Sequence, residues 1–217
     1  MAVAGLEAVV WDFGGVFTTS PFEAFNRHEA EHGLPHDFIR TVNATDPHTN
    51  AWAAFERAEV TAAEFDTRFL AEATRLGHAV RGAEVLPLLS GDFRPRVIAA
   101  LKTCKAAGLK VGCITNNVAA GEGAGMASTS EKARTAAEVM ALFDAVIESS
   151  KAGVRKPDPR IYQMMCELLS VDASACVYLD DLGVNCKPAA ALGMTAIKVT
   201  TVAQLLADLA TATGLSL

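Results

Sequence analysis

Five short apolar runs, near residues 6–12, 109–115, 144–148, 175–180 and 195–199, punctuate the chain, with helix-period stretches between them. Runs of this length, rich in Val, Ile and aromatic residues, read as strands buried on both faces. Their alternation with helices is the pattern of a parallel sheet covered on both sides. The expected class is therefore α/β with a doubly wound parallel sheet. Such sheets take ligands at the carboxyl ends of their strands, so the residues that end each run are where chemistry is expected.

The run Ala8-Val9-Val10-Trp11 ends in Asp12-Phe13-Gly14-Gly15. An aspartate held at a strand end can attack phosphorus or carbon, and the two glycines let the backbone approach an anion or a metal. The second run ends in Thr115-Asn116-Asn117. Its hydroxyl and amides can donate to phosphate oxygens, although Thr and Asn also cap helices routinely. Arg155-Lys156-Pro157-Asp158-Pro159 places a cation ahead of a helix that has Asp158 as N-cap and Pro159 at its first position. The run Ala175 to Leu179 ends in Asp180-Asp181. Adjacent carboxylates repel unless a cation lies between them, which points to a hard metal such as magnesium. A nucleophile, neutral anion donors, a fixed positive charge and a metal site are together the inventory that phosphoryl transfer needs.

Between the first two strands lies a long interval with no convincing strand. Ser20-Pro21-Phe22-Glu23 and Thr61-Ala62-Ala63-Glu64 read as capping boxes, and Phe65, Phe69, Ala73 and Leu76 recur at helical spacing as an apolar stripe. The segment from Ala119 to Ala127 reads as a connection before a helix capped near Ser128, with Glu131 three residues on. Trp52, Phe55, Arg57 and Arg68 are the side chains of this interval with a chance of touching substrate, though Trp52 and Phe55 suit the core of a small bundle equally. A formal charge of −6 and the lack of a basic stripe with aromatics argue against nucleic acid or an anionic membrane as partner. Five cysteines without paired or metal-ligand spacing suit a reducing compartment, and no basic leader precedes the first strand, so the cytoplasm is the expected location.

These motifs resemble those of the haloacid dehalogenase superfamily of hydrolases over nearly the whole chain. Asp12-Phe13-Gly14-Gly15-Val16 is similar to the first motif, Ile114-Thr115-Asn116 to the second, Lys156-Pro157-Asp158-Pro159 to the third and Leu179-Asp180-Asp181 to the fourth. Phe143-Asp144, Glu148-Ser149-Ser150, Arg160-Ile161-Tyr162, Leu182-Gly183-Val184-Asn185 and Ala191-Leu192-Gly193-Met194 resemble one branch of it. That branch holds the amino-terminal phosphatase domain of soluble epoxide hydrolase and phosphatase-like domains linked to acyl-CoA dehydrogenases.

The resemblance implies a Rossmann-like core of residues 1–17 and 92–217 with an inserted helical cap at 18–91. It implies that Asp12 forms an aspartyl-phosphate, with Lys156 neutralising Asp12 and the phosphate. Magnesium would be held by Asp12, the Gly14 carbonyl and Asp181, with Asp180 ligating or orienting water nearby. Thr115 and Asn116 would grip the phosphoryl group of a small phosphorylated metabolite, with Gly15 and Asn117 completing the substrate contacts. Asn185 is either part of the metal loop or a helix-start amide bonded locally. The oligomeric state, monomer or homodimer, stays open.

One departure stands out. Phosphatases of this superfamily usually carry a second aspartate two residues after the nucleophile, as acid and base, and here that position is Gly14. A good leaving group, a proton from the substrate or from a cap residue such as His28, His36 or His48, or a degenerate site that binds without efficient turnover would each account for it. A 2-haloacid dehalogenase also lacks that aspartate but works without metal, which would leave Asp180-Asp181 uncompensated.

Overall fold

A computed structural model describes residues 5–118 and 129–217. Its centre is a five-stranded sheet of β1 (Ala8–Trp11), β2 (Lys110–Thr115), β3 (Ala145–Glu148), β4 (Cys176–Asp180) and β5 (Thr195–Lys198), in the order β3-β2-β1-β4-β5. Every pairing is parallel. The expected α/β class and the five expected strands are therefore present.

Period-two alternation assigns the two faces. Val9 and Trp11 of β1 join Leu101, Cys104, Val111, Cys113, Val177, Leu179, Leu205 and Leu209 in one buried cluster. This face is covered by α6 (Pro95–Ala106), α7 (Ser130–Met140) and α11 (Val202–Thr213). Ala8 and Val10 point the other way, into a cluster with Ile161, Tyr162, Met165, Tyr178 and Ala189. There α9 (Pro159–Leu169) and α10 (Gly183–Ala191) cover the sheet. A Cβ at Gly112 would collide with Met165, so glycine lets α9 lie close on β2. Asp158 caps α9 through Arg160 N, with Pro159 in the first turn, as the sequence predicts. Cys104, Cys113, Cys176 and Cys186 are buried free thiols that act as small apolar residues.

The interval between β1 and β2 holds α1 (Pro21–Glu31), α2 (Phe38–Ala44), α3 (Ala51–Glu56), α4 (Ala62–Arg75) and α5 (Gly82–Val85). They enclose a core of their own around Phe25, Ile39, Phe55, Phe65, Phe69 and Ala73. Phe55 stacks on Phe65 at 4.7 Å between ring centres, so it is a core residue rather than a substrate contact. The chain leaves and re-enters the sheet layer side by side, through an antiparallel bridge of Thr18 and Phe93 and a bond from Thr19 N to Asp92 O of 2.9 Å.

Both halves of the Thr61–Glu64 capping box form. The Ser20 box does not: Ser20 is the N-cap and Pro21 opens the helix, but the hydroxyl makes no cap bond and is buried without a partner among the described residues. Leu76 also departs from expectation, because it is the C-cap of α4 and the turn carries it out to solvent. The N-cap of α7 is Thr129, which accepts from Lys132 N, and the expected Ser128 cap lies outside the described residues.

Buried Asp66 ties α4 to α5, accepting from the Arg81 guanidinium and from Ala83 N. Those bonds hold its carboxyl below its ordinary value, Arg81 first among them. A folded-state pKa below the unfolded one adds stability above about pH 4 and loses it as pH falls through the folded value. Asp66→Asn is expected to cost about 1–3 kcal/mol at neutral pH in thermal melts, and its melting curve should converge with wild type in acid.

Candidate active site

Strand register decides what meets at the carboxyl end of the sheet. Trp11 pairs with Cys113 on one side and Leu179 on the other, so Asp12 and Asp180 leave adjacent strands at the same height. Asp12 N donates to Leu179 O at 2.8 Å and locks that level. The chain order reverses direction between β1 and β4, which is the crevice where doubly wound sheets take ligands.

Lys156 fills the centre. It arrives on the loop between the short helix α8 (Ser149–Ala152), which follows β3, and α9, and is 1% exposed. Its Nζ lies 2.6 Å from Asp12 Oδ1 and donates to Asp180 Oδ2 at 2.8 Å. Burial alone would lower the lysine pKa, but the carboxylates of Asp12 and Asp180 overcome it and raise it, which favours the charged ammonium. Burial pushes the Asp12 carboxyl well above its usual range, Asp180 and Asp181 push it further, and Lys156 opposes them. Asp181 is pushed to about 6 by burial and then by Asp180, with Lys156 and Arg94 pulling it back.

The two adjacent aspartates divide their work. Asp180 is fully buried, and Oδ2 accepts from Lys156 Nζ and, at 2.6 Å, from Tyr178 OH. Its Oδ1 accepts from Leu182 N at 2.8 Å, and Asn185 Nδ2 lies 3.1 Å from both oxygens. Four donors saturate that carboxylate, so it anchors the lysine. The Asn185 amide therefore serves the acidic loop rather than its own helix backbone. Asp181 is only partly buried, and among the described residues no side-chain donor engages its carboxylate, which meets its own backbone N–H.

Oxygens of Asp12, Asp180 and Asp181 lie within 4.8 Å of one another. An all-carboxylate set with one buried lysine is under-neutralised and offers only oxygen ligands, which suits a hard divalent cation. Asp12 and Asp181 are the residues with oxygen capacity left to hold it.

The glycine pair splits as well. Gly15 has φ +75°, and a Cβ there would collide with the Asp181 carboxylate, so both conformation and space require glycine. Its N–H reaches Thr18 Oγ1 at 3.4 Å, and its carbonyl accepts from Arg94 Nη1 at 2.7 Å. A Cβ at Gly14 would meet nothing within 4 Å, so that position has room for a side chain.

On the β2 side, Thr115 is buried at the strand end, and its hydroxyl makes no hydrogen bond among the described residues. Asn116 clamps the backbone of Lys156: its Oδ1 accepts from Lys156 N at 2.9 Å and its Nδ2 donates to Lys156 O at 3.0 Å. Asn117 is spent on architecture. Its Nδ2 donates to Glu148 Oε2, and its Oδ1 accepts from Ser150 Oγ and N. Two of the three histidines considered as proton donors are engaged with neighbours, His28 stacking on His32 and His36 pairing with Asp37.

Tyr178, Arg94 and Glu56 are site neighbours that the sequence reading missed. Strand alternation could have found Tyr178, since it shares a face with Asp180 two residues on. Arg94 and Glu56 arrive from distant helices and leave no local signal.

The family profile of haloacid dehalogenase-like hydrolases matches residues 6–193. The chain belongs to the haloacid dehalogenase-like hydrolases. Mouse (Mus musculus) acyl-CoA dehydrogenase family member 10 is 30% identical over 197 residues, covering 88% of this chain and 18% of that protein. Bifunctional epoxide hydrolase 2 of Sus scrofa is 28% identical over 223 residues, 98% of this chain and 40% of that protein. Phosphatase MT3486 of Mycobacterium tuberculosis (strain CDC 1551 / Oshkosh) is 34% identical over 108 residues, half of this chain and 45% of that one. The chain thus spans less than half the length of these three relatives. In fold, it is similar to the family enzyme bt-2542 of Bacteroides thetaiotaomicron in complex with magnesium and inorganic phosphate, with a TM-score of 0.58, 16% identity and coverage of 91% and 96% of the two chains. This haloacid dehalogenase-like chain has a phosphatase among its relatives, and no helix among its described residues is long and apolar enough to cross a membrane.

Proposed function

We propose that this hydrolase is a magnesium-dependent phosphatase acting on a small phosphorylated metabolite through an aspartyl-phosphate at Asp12, with residues 18–91 as its cap. The observation that carries this reading is the buried Lys156 ammonium bridging Asp12 and Asp180 beside the uncommitted Asp181 carboxylate. The phosphatase relative and the magnesium and phosphate complex of a fold neighbour support it.

The residues then divide the work. Asp12 presents a carboxylate oxygen to the phosphorus while Lys156 holds the other and offsets charge in the pocket. Asp12, Asp181 and the Gly14 carbonyl are the magnesium ligands we assign, and Asp180 fixes the lysine. The metal, when bound, supplies positive charge against the transferring phosphoryl oxygens. The Thr115 hydroxyl donates to that phosphoryl group, with Gly15 lining the loop opposite, while Asn116 and Asn117 hold the Thr115 loop in place.

Gly14 narrows the substrate. With no carboxyl to protonate the leaving oxygen at this position, aryl, acyl and anomeric phosphates are favoured over alkyl phosphates. A screen across these classes, with magnesium and with it chelated, tests the reading. Magnesium-dependent release from good leaving groups is the expected result, and no release in any well overturns it. Gly14→Asp should raise hydrolysis of alkyl phosphates by about 10²-fold or more, because the position has room and lacks only the acid. An unchanged rate would contradict the missing-acid explanation.

A further inference from the structure

Glu56 ends α3, far in sequence from every motif, yet it is buried at the joint between the helical insert and the strand ends. Its Oε1 accepts from Trp52 Nε1 at 2.9 Å within the insert. Its Oε2 lies 2.5 Å from Arg155 Nε, the residue before Lys156, and accepts a long bond of 3.4 Å from Asn116 Nδ2. Its backbone carbonyl accepts from Ser149 Oγ at 2.7 Å, and that hydroxyl also accepts from Asn117 N at 3.1 Å. Arg155 in turn donates from Nη1 to Pro47 O at 2.8 Å.

One residue of the insert therefore touches the loop after β2 and the loop that carries Lys156. Asn116 grips Lys156 by both backbone atoms, so a shift of its amide moves the lysine. Glu56 holds that amide from behind, and it holds Arg155, whose backbone continues into Lys156. Lys156 has little freedom of its own, because its Nζ must reach Asp12 and Asp180 at once.

We infer that Glu56 is a positioning residue through which docking of the helical insert sets the Lys156 ammonium between Asp12 and Asp180. The inference rests on the phosphatase reading for its kinetic test, and a binding test stands apart from that reading. A carboxylate is required because two N–H donors and the positive charge of the Arg155 guanidinium converge on it. In Glu56→Gln the amide would turn its donor either toward Trp52 Nε1 or toward Asn116 and Arg155 together, whereas shape and packing would be kept.

The test is a double-mutant cycle of Glu56→Gln and Asn116→Ala. It is read as kcat and KM on an aryl phosphate and, independently of turnover, as the affinity for inorganic phosphate with magnesium present. Each single change is expected to lower kcat by about 10-fold or more with KM altered less than threefold, and the double variant to lose less than the product of the two single losses, because both break the link between Glu56 and Asn116. Phosphate affinity should show the same non-additivity. Additive losses in both readouts, or a Glu56→Gln variant with wild-type kcat and phosphate affinity, would overturn the inference. Should wild type show no turnover at all, the phosphatase reading fails while the phosphate-affinity cycle still decides the role of Glu56. A thermal melt of each variant separates loss of fold from loss of position.

Discussion

Asp12→Asn is expected to abolish phosphate release, with a loss on the order of 10⁶-fold, the scale seen when a covalent nucleophile is removed. The amide has the same shape, so the sheet, the bond from Asp12 N to Leu179 O and the surrounding apolar packing should survive. What disappears is the anionic oxygen to which we assign the attack. Removing that charge also relieves repulsion, because Asp12 lies buried near both Asp180 and Asp181. Thermal stability should therefore hold or rise while activity vanishes. That opposite movement of stability and rate is the mark of a site in which folding is sacrificed to chemistry. Measurable turnover above background in Asp12→Asn would remove Asp12 from the reaction.

Lys156→Met should fail on both counts. The ammonium is the buried cation shared by two carboxylates, one of them fully buried, and breaking such a pair from one side costs about 3–5 kcal/mol. For a chain of this size that is a fall in melting temperature of about 6–20 °C. Activity should drop by at least ~10²–10³, the usual cost of losing one charge stabiliser of a transition state. A second change isolates the cause. Adding Asp180→Asn to Lys156→Met removes one of the stranded negative charges and should recover part of the stability but none of the activity. A Lys156→Met variant that melts like wild type would show that the three-membered charge cluster is not held as tightly as its 2.6 and 2.8 Å contacts imply.

Much of this could be read from the chain because the informative residues sit where local rules apply. Buried parallel strands are continuous apolar runs, so β1, β2 and β4 announced themselves, and Asp12, Thr115 and Asp180 followed as the residues at their ends. The Thr61 box and the Asp158-Pro159 start are local in the same sense. Register supplied what spacing could not. The meeting of Asp12 with Asp180 depends on Trp11 pairing with Leu179 across more than half the chain.

The misses have separate physical causes. Ser20 carries a capping-box sequence, but Pro21 and the exit from the sheet layer fix its backbone so that the hydroxyl faces no amide. Leu76 keeps the helical spacing of Phe65, Phe69 and Ala73 but falls on the last turn, where the helix has already passed its core. Asn117 has the chemistry of a phosphate donor and is instead consumed by Glu148 at the end of β3 and Ser150 in the helical turn after it. Only for Asn117 did a tertiary neighbour take a group that local reasoning left available. Glu56 is the converse, a residue with no local signature that long-range packing places behind Asn116 and Arg155.

The most direct measurement of the central claim is chemical trapping of the covalent state. The protein would be mixed with a rapidly cleaved aryl or acyl phosphate and magnesium, quenched in acid during turnover, digested and mapped by mass spectrometry. A hydroxylamine-labile phosphate on the peptide that contains Asp12, absent from Asp12→Asn, is the predicted result. Sustained turnover with no labile phosphate on that peptide, or with the label on another residue, would contradict it.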